Sequence, residues 1–163
     1  MTTCRRCKLR GLVKEECPER SYSVPGLPVI LHHSEVVCCP SCGYCDDTLP
    51  DLDGLRGAIA QAVAAKRGRL TPAEIRFLRR RLGWSGLEMA IHMGSTPETV
   101  SRWENGRTPM GTTADRLLRA LVALRAGGAG FSFGRFRMVA RGEPRATRID
   151  VEFRAGQWRP LPQ

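Results

Sequence analysis

The chain has few aromatic residues, few histidines and no long apolar run. Aromatics are 6% of its 163 residues, and there are only 3 histidines. Nothing approaches the roughly 18 consecutive apolar residues of a membrane-spanning helix, so no membrane span is expected. The opening MTTCRRCKLRG lacks the apolar core of a signal peptide, and a cytoplasmic protein is expected. There is no nucleophile elbow and no phosphate-binding glycine loop. With so few histidines as well, we expect no enzyme. Repeats and low-complexity segments are also missing.

Acidic residues are scarce relative to basic ones. Lys and Arg number 26 against 16 Asp and Glu, a net charge of +10, which favours an anionic partner. The excess is uneven. Residues 1–50 carry six basic and six acidic side chains, whereas residues 69–126 carry ten against five and residues 127–163 seven against three. A uniform excess would speak only of solubility. This one points to nucleic-acid binding by the second half.

The segment Gly83–Gly106 predicts two short helices joined by a tight turn. Ser85 and Glu88 form a capping box, and Leu87, Ala90 and Ile91 are expected to face inward. Gly94 ends that helix. Thr96 caps the next, Pro97 takes its first position and Gly106 follows its end. Val100 and Trp103, three apart, face inward. Thr96, Glu98, Thr99, Ser101 and Arg102 then lie on the first turn and outer face, with Asn105 and Arg107 at the far end. These seven are the DNA-contact candidates. Upstream, Thr71-Pro72-Ala73-Glu74 is a second capping box, followed by Ile75, Leu78 and Leu82 at helical spacing. Downstream, Thr112 or Thr113 is expected to cap a helix carrying Leu117, Leu118, Leu121 and Leu124. Residues 70–126 so defined resemble a Cro/repressor-type (Xre-like) helix-turn-helix domain, through Ala90, Gly94, Val100, Trp103, Glu104, Asn105 and Gly106. Gly86 stands where that family often has a DNA-touching glutamine.

The seven cysteines are odd in number and argue against a disulfide framework in a reducing compartment. Cys4-x-x-Cys7 and Cys39-x-x-Cys42 are two pairs, each able to bring two thiolates to one ion from a tight turn. Together they supply a tetrahedral structural zinc site, one Zn2+ per chain. Cys42-x-x-Cys45 is a second possible pairing. We prefer Cys39 with Cys42 because Pro40 and Gly43 suit the turn. Cys38 is expected as a buried hydrophobe and Cys17 and Cys45 as free thiols, with His32 and His33 solvated. Between the pairs, Tyr22, Val24, Val29, Leu31, Val36 and Val37 form strands broken by Pro25-Gly26 and Pro28.

The order of these two motifs resembles the MqsA-type antitoxins, whose zinc finger is of the YgiT type, over residues 4–126. That resemblance implies a zinc domain that grips a partner ribonuclease toxin. It also implies a helical domain that dimerises, binds an inverted-repeat operator in double-stranded DNA and represses its own operon. It places the base-reading arginine on Arg102. A second base-reading position, usually asparagine, falls on Glu98, so a different operator is expected. A stand-alone zinc-containing transcription factor without a toxin is the alternative.

The expected fold class is therefore α+β. Residues 1–50 are the small zinc-bound β-rich domain and 51–69 a linker helix, with Leu52, Leu55, Ile59 and Val63 on its apolar face. Residues 70–126 are the all-α helix-turn-helix domain. Residues 127–163 are an extension in which Phe136, Met138 and Ala140 pair as a hairpin with Ile149, Val151 and Phe153 across Gly142-Glu143-Pro144.

Overall fold

A computed structural model describes residues 3–47, 49–126 and 142–162. Strands β1 (Val13–Val24) and β2 (Leu27–Cys38) form a long antiparallel hairpin, and β3 (Cys45–Asp47) pairs with the end of β2. Five helices follow: α1 (Leu52–Ala65), α2 (Pro72–Arg81), α3 (Gly86–His92), α4 (Pro97–Glu104) and α5 (Thr112–Arg125). Strands β4 (Ile149–Arg154) and β5 (Gln157–Pro160) complete one sheet of order β1-β2-β4-β5. The α+β class and the C-terminal strands are as expected.

The C-terminal hairpin is not the expected one. Ile149, Val151 and Phe153 do lie in one strand, but its hairpin partner is β5, across Ala155 and Gly156. Both turn residues have positive φ, 51° and 77°, the backbone of a tight type I′ connection. Alanine is rarely the first residue of such a turn, and Pro160 disguises β5 as a non-strand. Residues 136–140 lie outside the described residues. On its other side β4 runs parallel to β2, with Val29 opposite Ile149 and Leu31 opposite Val151.

One face of this sheet is covered by α1. Leu27, Val29 and Leu31 alternate inward along β2, joined by Ile149, Val151 and Trp158. They meet Leu55, Ile59 and Val63 of α1 in a single apolar core that continues into the helical bundle. Each such side chain contributes roughly 1.5–3 kcal/mol when fully buried. Helix α1 also packs against α2 and α5. Ala58, Ala60, Ala62 and Ala64 are buried with the larger residues, so both neighbours come close. The hairpin turn reaches the bundle too. A Cβ on Gly26 would sit 2.5 Å from that of Ala73 in α2, and Gly26 has φ +75°.

Helix α1 ends on a buried cation. The guanidinium of Arg119 donates to the carbonyls of Ala64, Lys66 and Gly68, and to Asp115 at 2.6 Å. Asp115 accepts in turn from the backbone of Leu70 at 2.8 Å. Nearby, buried Lys66 donates to Glu74 at 2.5 Å and to the carbonyl of Arg145 at 2.9 Å. Burial holds the Lys66 ammonium below its ordinary range even though Glu74 favours the charge. These paired charges satisfy carbonyls that a terminating helix otherwise leaves unbonded. Among the described residues no helix is long and apolar enough to cross a membrane.

Candidate nucleic-acid interface and metal centre

Helices α3 and α4 form the two-helix unit expected from Gly83–Gly106. Glu88 donates its backbone N–H to Ser85 Oγ at 3.1 Å, and Ser85 returns its own to Glu88 at 2.7 Å. The Ser85 backbone hydrogen bond holds the Glu88 carboxyl below its ordinary range. Gly94, with φ 57°, turns the chain, and Thr96 caps α4 by accepting from Thr99. The inward face of α3 differs from expectation. Met89 and Ala90 are buried, whereas Leu87 and Ile91 are 59% and 68% exposed. Apolar character at two outer positions does not tell which side of so short a helix meets the core. In α5, Leu118 is buried but Leu124 is 71% exposed, and Gly111 caps the helix without a side-chain bond, in place of Thr112 or Thr113.

On α4, Val100 and Trp103 turn inward as expected, leaving Glu98, Ser101 and Arg102 exposed. The seven contact candidates differ in how their groups are used. Thr96 and Thr99 bond each other at 3.1 Å. Asn105 caps α4, donating to the Ser101 carbonyl at 2.9 Å and accepting from Arg76. The Glu98 carboxyl is held low by its own backbone N–H and by the Thr96 hydroxyl, so it turns toward the helix start. Among the described residues the guanidiniums of Arg102 and Arg107 have no hydrogen-bond or ion-pair partner. The Arg102 charge also helps, as the smallest influence, to hold Glu98 low one turn away.

Two arginines hold this surface in place, a role that no spacing or motif in the chain marks. Arg79 grips Glu104 through two bonds, 2.6 and 3.0 Å, and donates to the Trp84 carbonyl at 2.7 Å. Arg76 donates to the Glu104 carbonyl at 2.8 Å. Such a two-pronged pair fixes geometry as well as charge. It locks the end of α4 to α2 and thereby sets the direction of Arg102.

At the far end of the hairpin the two cysteine pairs meet. The sulfurs of Cys4, Cys7, Cys39 and Cys42 all lie within 4.8 Å of one another, with Cys4–Cys42 at 3.7 Å and Cys7–Cys39 at 3.5 Å. Zn–S bonds of about 2.3 Å in a tetrahedron imply sulfur separations of about 3.8 Å. The four cysteines are thus positioned to bind a metal ion, and their number and softness are consistent with zinc. The two turns share one geometry. Cys4 N–H donates to the Leu9 carbonyl and Cys39 N–H to that of Tyr44. The residue after each pair, Lys8 or Gly43, has φ 64° or 67°.

The thiols are driven apart in acidity. A backbone hydrogen bond from Cys7 is the main influence lowering Cys4, to about 6. Burial opposes ionisation of Cys39, but backbone N–H groups of Cys42 and Ser41 outweigh it and lower that thiol. At Cys7 a backbone bond from Leu9 also favours the thiolate. Burial and the neighbouring sulfurs overcome it and push the thiol up to about 12. Four thiolates this close require a cation to ionise together.

Cys38 is buried as expected, but neither it nor Cys45, expected as a free thiol, is unpaired. They face each other across β2 and β3 and form a disulfide. Adjacent cysteines in an extended strand point to opposite sides, so Cys39 faces the cluster and Cys38 faces Cys45. Cys17 is a free thiol. His32 bonds Asp150 and His33 bonds Glu16, each at 2.7 Å, and neither belongs to the four-sulfur cluster.

Residues 75–121 match the helix-turn-helix family. Neither the curated proteins nor the solved structures give a significant match. The two-helix unit and this match make the chain a DNA-binding transcription regulator. It carries, in addition, a four-cysteine cluster positioned to bind a metal ion.

Proposed function

We propose that the protein is a sequence-specific repressor that binds an inverted-repeat operator as a homodimer. It would be the antitoxin of a type II toxin–antitoxin pair. The observation that carries the DNA half is the free guanidinium of Arg102 on the exposed face of a capped, buttressed α4. Arg102 reads a base through its bidentate fork, Arg107 contacts phosphate, and Thr96, Glu98, Thr99, Ser101 and Asn105 frame them. Leu117, Leu121 and Leu124 recur at one side of α5, with Leu117 39% and Leu124 71% exposed. This stripe suits a dimer seam. The zinc is structural, one per chain, with four sulfur ligands and no open position for a reacting water. No enzymatic activity is assigned. Residues 1–50 serve metal binding, 51–69 connection and 70–126 DNA recognition, and of the extension 127–163 the strands β4 and β5 complete the sheet.

The antitoxin half rests on the motif order and on an available surface. Strand β1 is an edge of the sheet, and an edge can accept a strand from another chain. Glu15, Glu16 and Glu19 lie exposed along it, although Glu16 and Glu19 also pair with His33 and Arg148. A basic ribonuclease would be attracted to this edge, mainly in its rate of encounter. The stand-alone regulator remains the second reading, because Arg5, Arg6, Lys8 and Arg10 make the metal-binding end basic and repel a basic toxin.

Co-expression of the full chain with the product of the adjacent gene separates the two. We expect co-purification and relief of growth arrest, both weakened by Glu15→Lys with Glu16→Lys. If the neighbour's product neither binds nor arrests growth, the protein is a stand-alone regulator.

A further inference from the structure

We propose that the first cysteine turn, residues 4–10, is a second contact surface for the DNA phosphate backbone. This inference rests on the DNA-binding reading but not on the antitoxin one. Arg5, Arg6, Lys8 and Arg10 are all exposed, and residues 1–11 contain no acid. Among the described residues only Arg5 has a carboxylate partner, Asp46 at 3.3 Å, in a pair whose arginine is 80% exposed.

The fold does not require these charges. The second turn has the same backbone bonds and the same positive-φ position, yet it carries Pro40, Ser41 and Gly43 where the first carries Arg5, Arg6 and Lys8. Lys8 sits at φ 64°, where glycine is favoured and a side chain costs conformational energy. A cation is therefore present at Lys8 against the local backbone preference. Bound zinc with four thiolates carries two negative charges, which two cations suffice to balance, and with Arg5 set against Asp46 three are present. The surplus faces solvent on a metal-stiffened turn, at the end of the hairpin remote from its Pro25-Gly26 turn. A rigid cluster of exposed cations, with Leu9 as its one exposed large apolar side chain, suits a row of phosphates, which binds by charge and not by sequence.

The test uses zinc-loaded full-length protein and a short duplex DNA of random sequence, with binding followed by fluorescence anisotropy across a salt series. Wild type is compared with Lys8→Gly and with the triple change Arg6→Gln, Lys8→Gly, Arg10→Gln, and zinc is quantified in each. Lys8→Gly relieves the backbone, so a purely structural lysine predicts equal or better behaviour. The phosphate contact predicts weaker binding, with a log–log salt slope shallower by about 0.9 for Lys8→Gly and by roughly 2–3 for the triple change, at unchanged zinc content. Unchanged slopes with zinc retained overturn the inference, and so does a loss of affinity that appears only in step with lost zinc. If wild type itself binds no duplex, the DNA-binding reading fails and takes this inference with it. A wild-type slope that the variants leave intact removes this surface alone.

Discussion

Cys39 joins β2 to the metal cluster, and its sulfur lies 3.5 Å from that of Cys7. Cys39→Ser should abolish stoichiometric zinc, because three sulfurs and a hydroxyl that resists ionisation make a poor tetrahedral site. The damage should stay at that end of the hairpin. Leu27, Val29 and Leu31 belong to the core shared with α1, far along β2 from the cluster. We expect amide-exchange protection to fall at residues 4–17 and 34–46 and to persist in α1, α2 and α5. Full zinc retention would contradict the site. The four ligands were legible because a two-residue gap is a local constraint that spacing records. The partners of Arg79, Arg119 and Asn105 were not. Arg79 and Arg119 look like surface chemistry in one dimension, and only the approach of Glu104, 25 residues away, and of the carbonyls at the end of α1, more than 50 away, makes them internal, whereas Asn105 stays exposed and bonds Ser101 one turn back.

At the scale of elements, α1 carries more than its expected role as a linker. It lies between the sheet and the bundle, and its C-terminal carbonyls are closed by Arg119. Asp115, itself fully buried, balances that cation. Asp115→Ala should leave a buried guanidinium short of its counter-charge and the Leu70 N–H without an acceptor, at a cost of about 3–5 kcal/mol. Urea unfolding measures this directly, and a loss under about 1 kcal/mol, the scale of an exposed pair, would show that Arg119 is not held as described. Helix positions were readable because capping boxes at Thr71 and Ser85 and the stops at Gly83 and Gly94 are short-range signals. Inward faces were less so: α3 has 7 residues, too few for periodicity to separate Leu87 and Ile91 from a true core ridge. The place of β4 beside β2 depends on a pairing across more than a hundred residues, which no local pattern contains.

For the whole molecule, the charge asymmetry takes on a more specific form. Two of the arginines in residues 69–126, Arg79 and Arg119, are internal, but each is matched by an internal acid of the same segment, Glu104 and Asp115, so the cationic excess there stays on the surface. What remains outward includes Arg102 and Arg107 at the α4 end. The single core from sheet to bundle means that the intact chain, not its halves, is the object to test. The most direct measurement is binding of zinc-loaded protein to the DNA upstream of its own gene, with footprinting to locate the site. We expect protection of an inverted repeat with half-sites about one helical turn apart, or a multiple of it. Arg102→Ala should weaken binding by roughly 1–3 kcal/mol, about 5- to 150-fold, and relax the sequence preference at one position of each half-site. Arg107→Ala should weaken all sequences alike and flatten the salt dependence by about one contact. Binding by Arg102→Ala with wild-type affinity and wild-type preference would contradict the assignment of α4 as the helix that reads DNA.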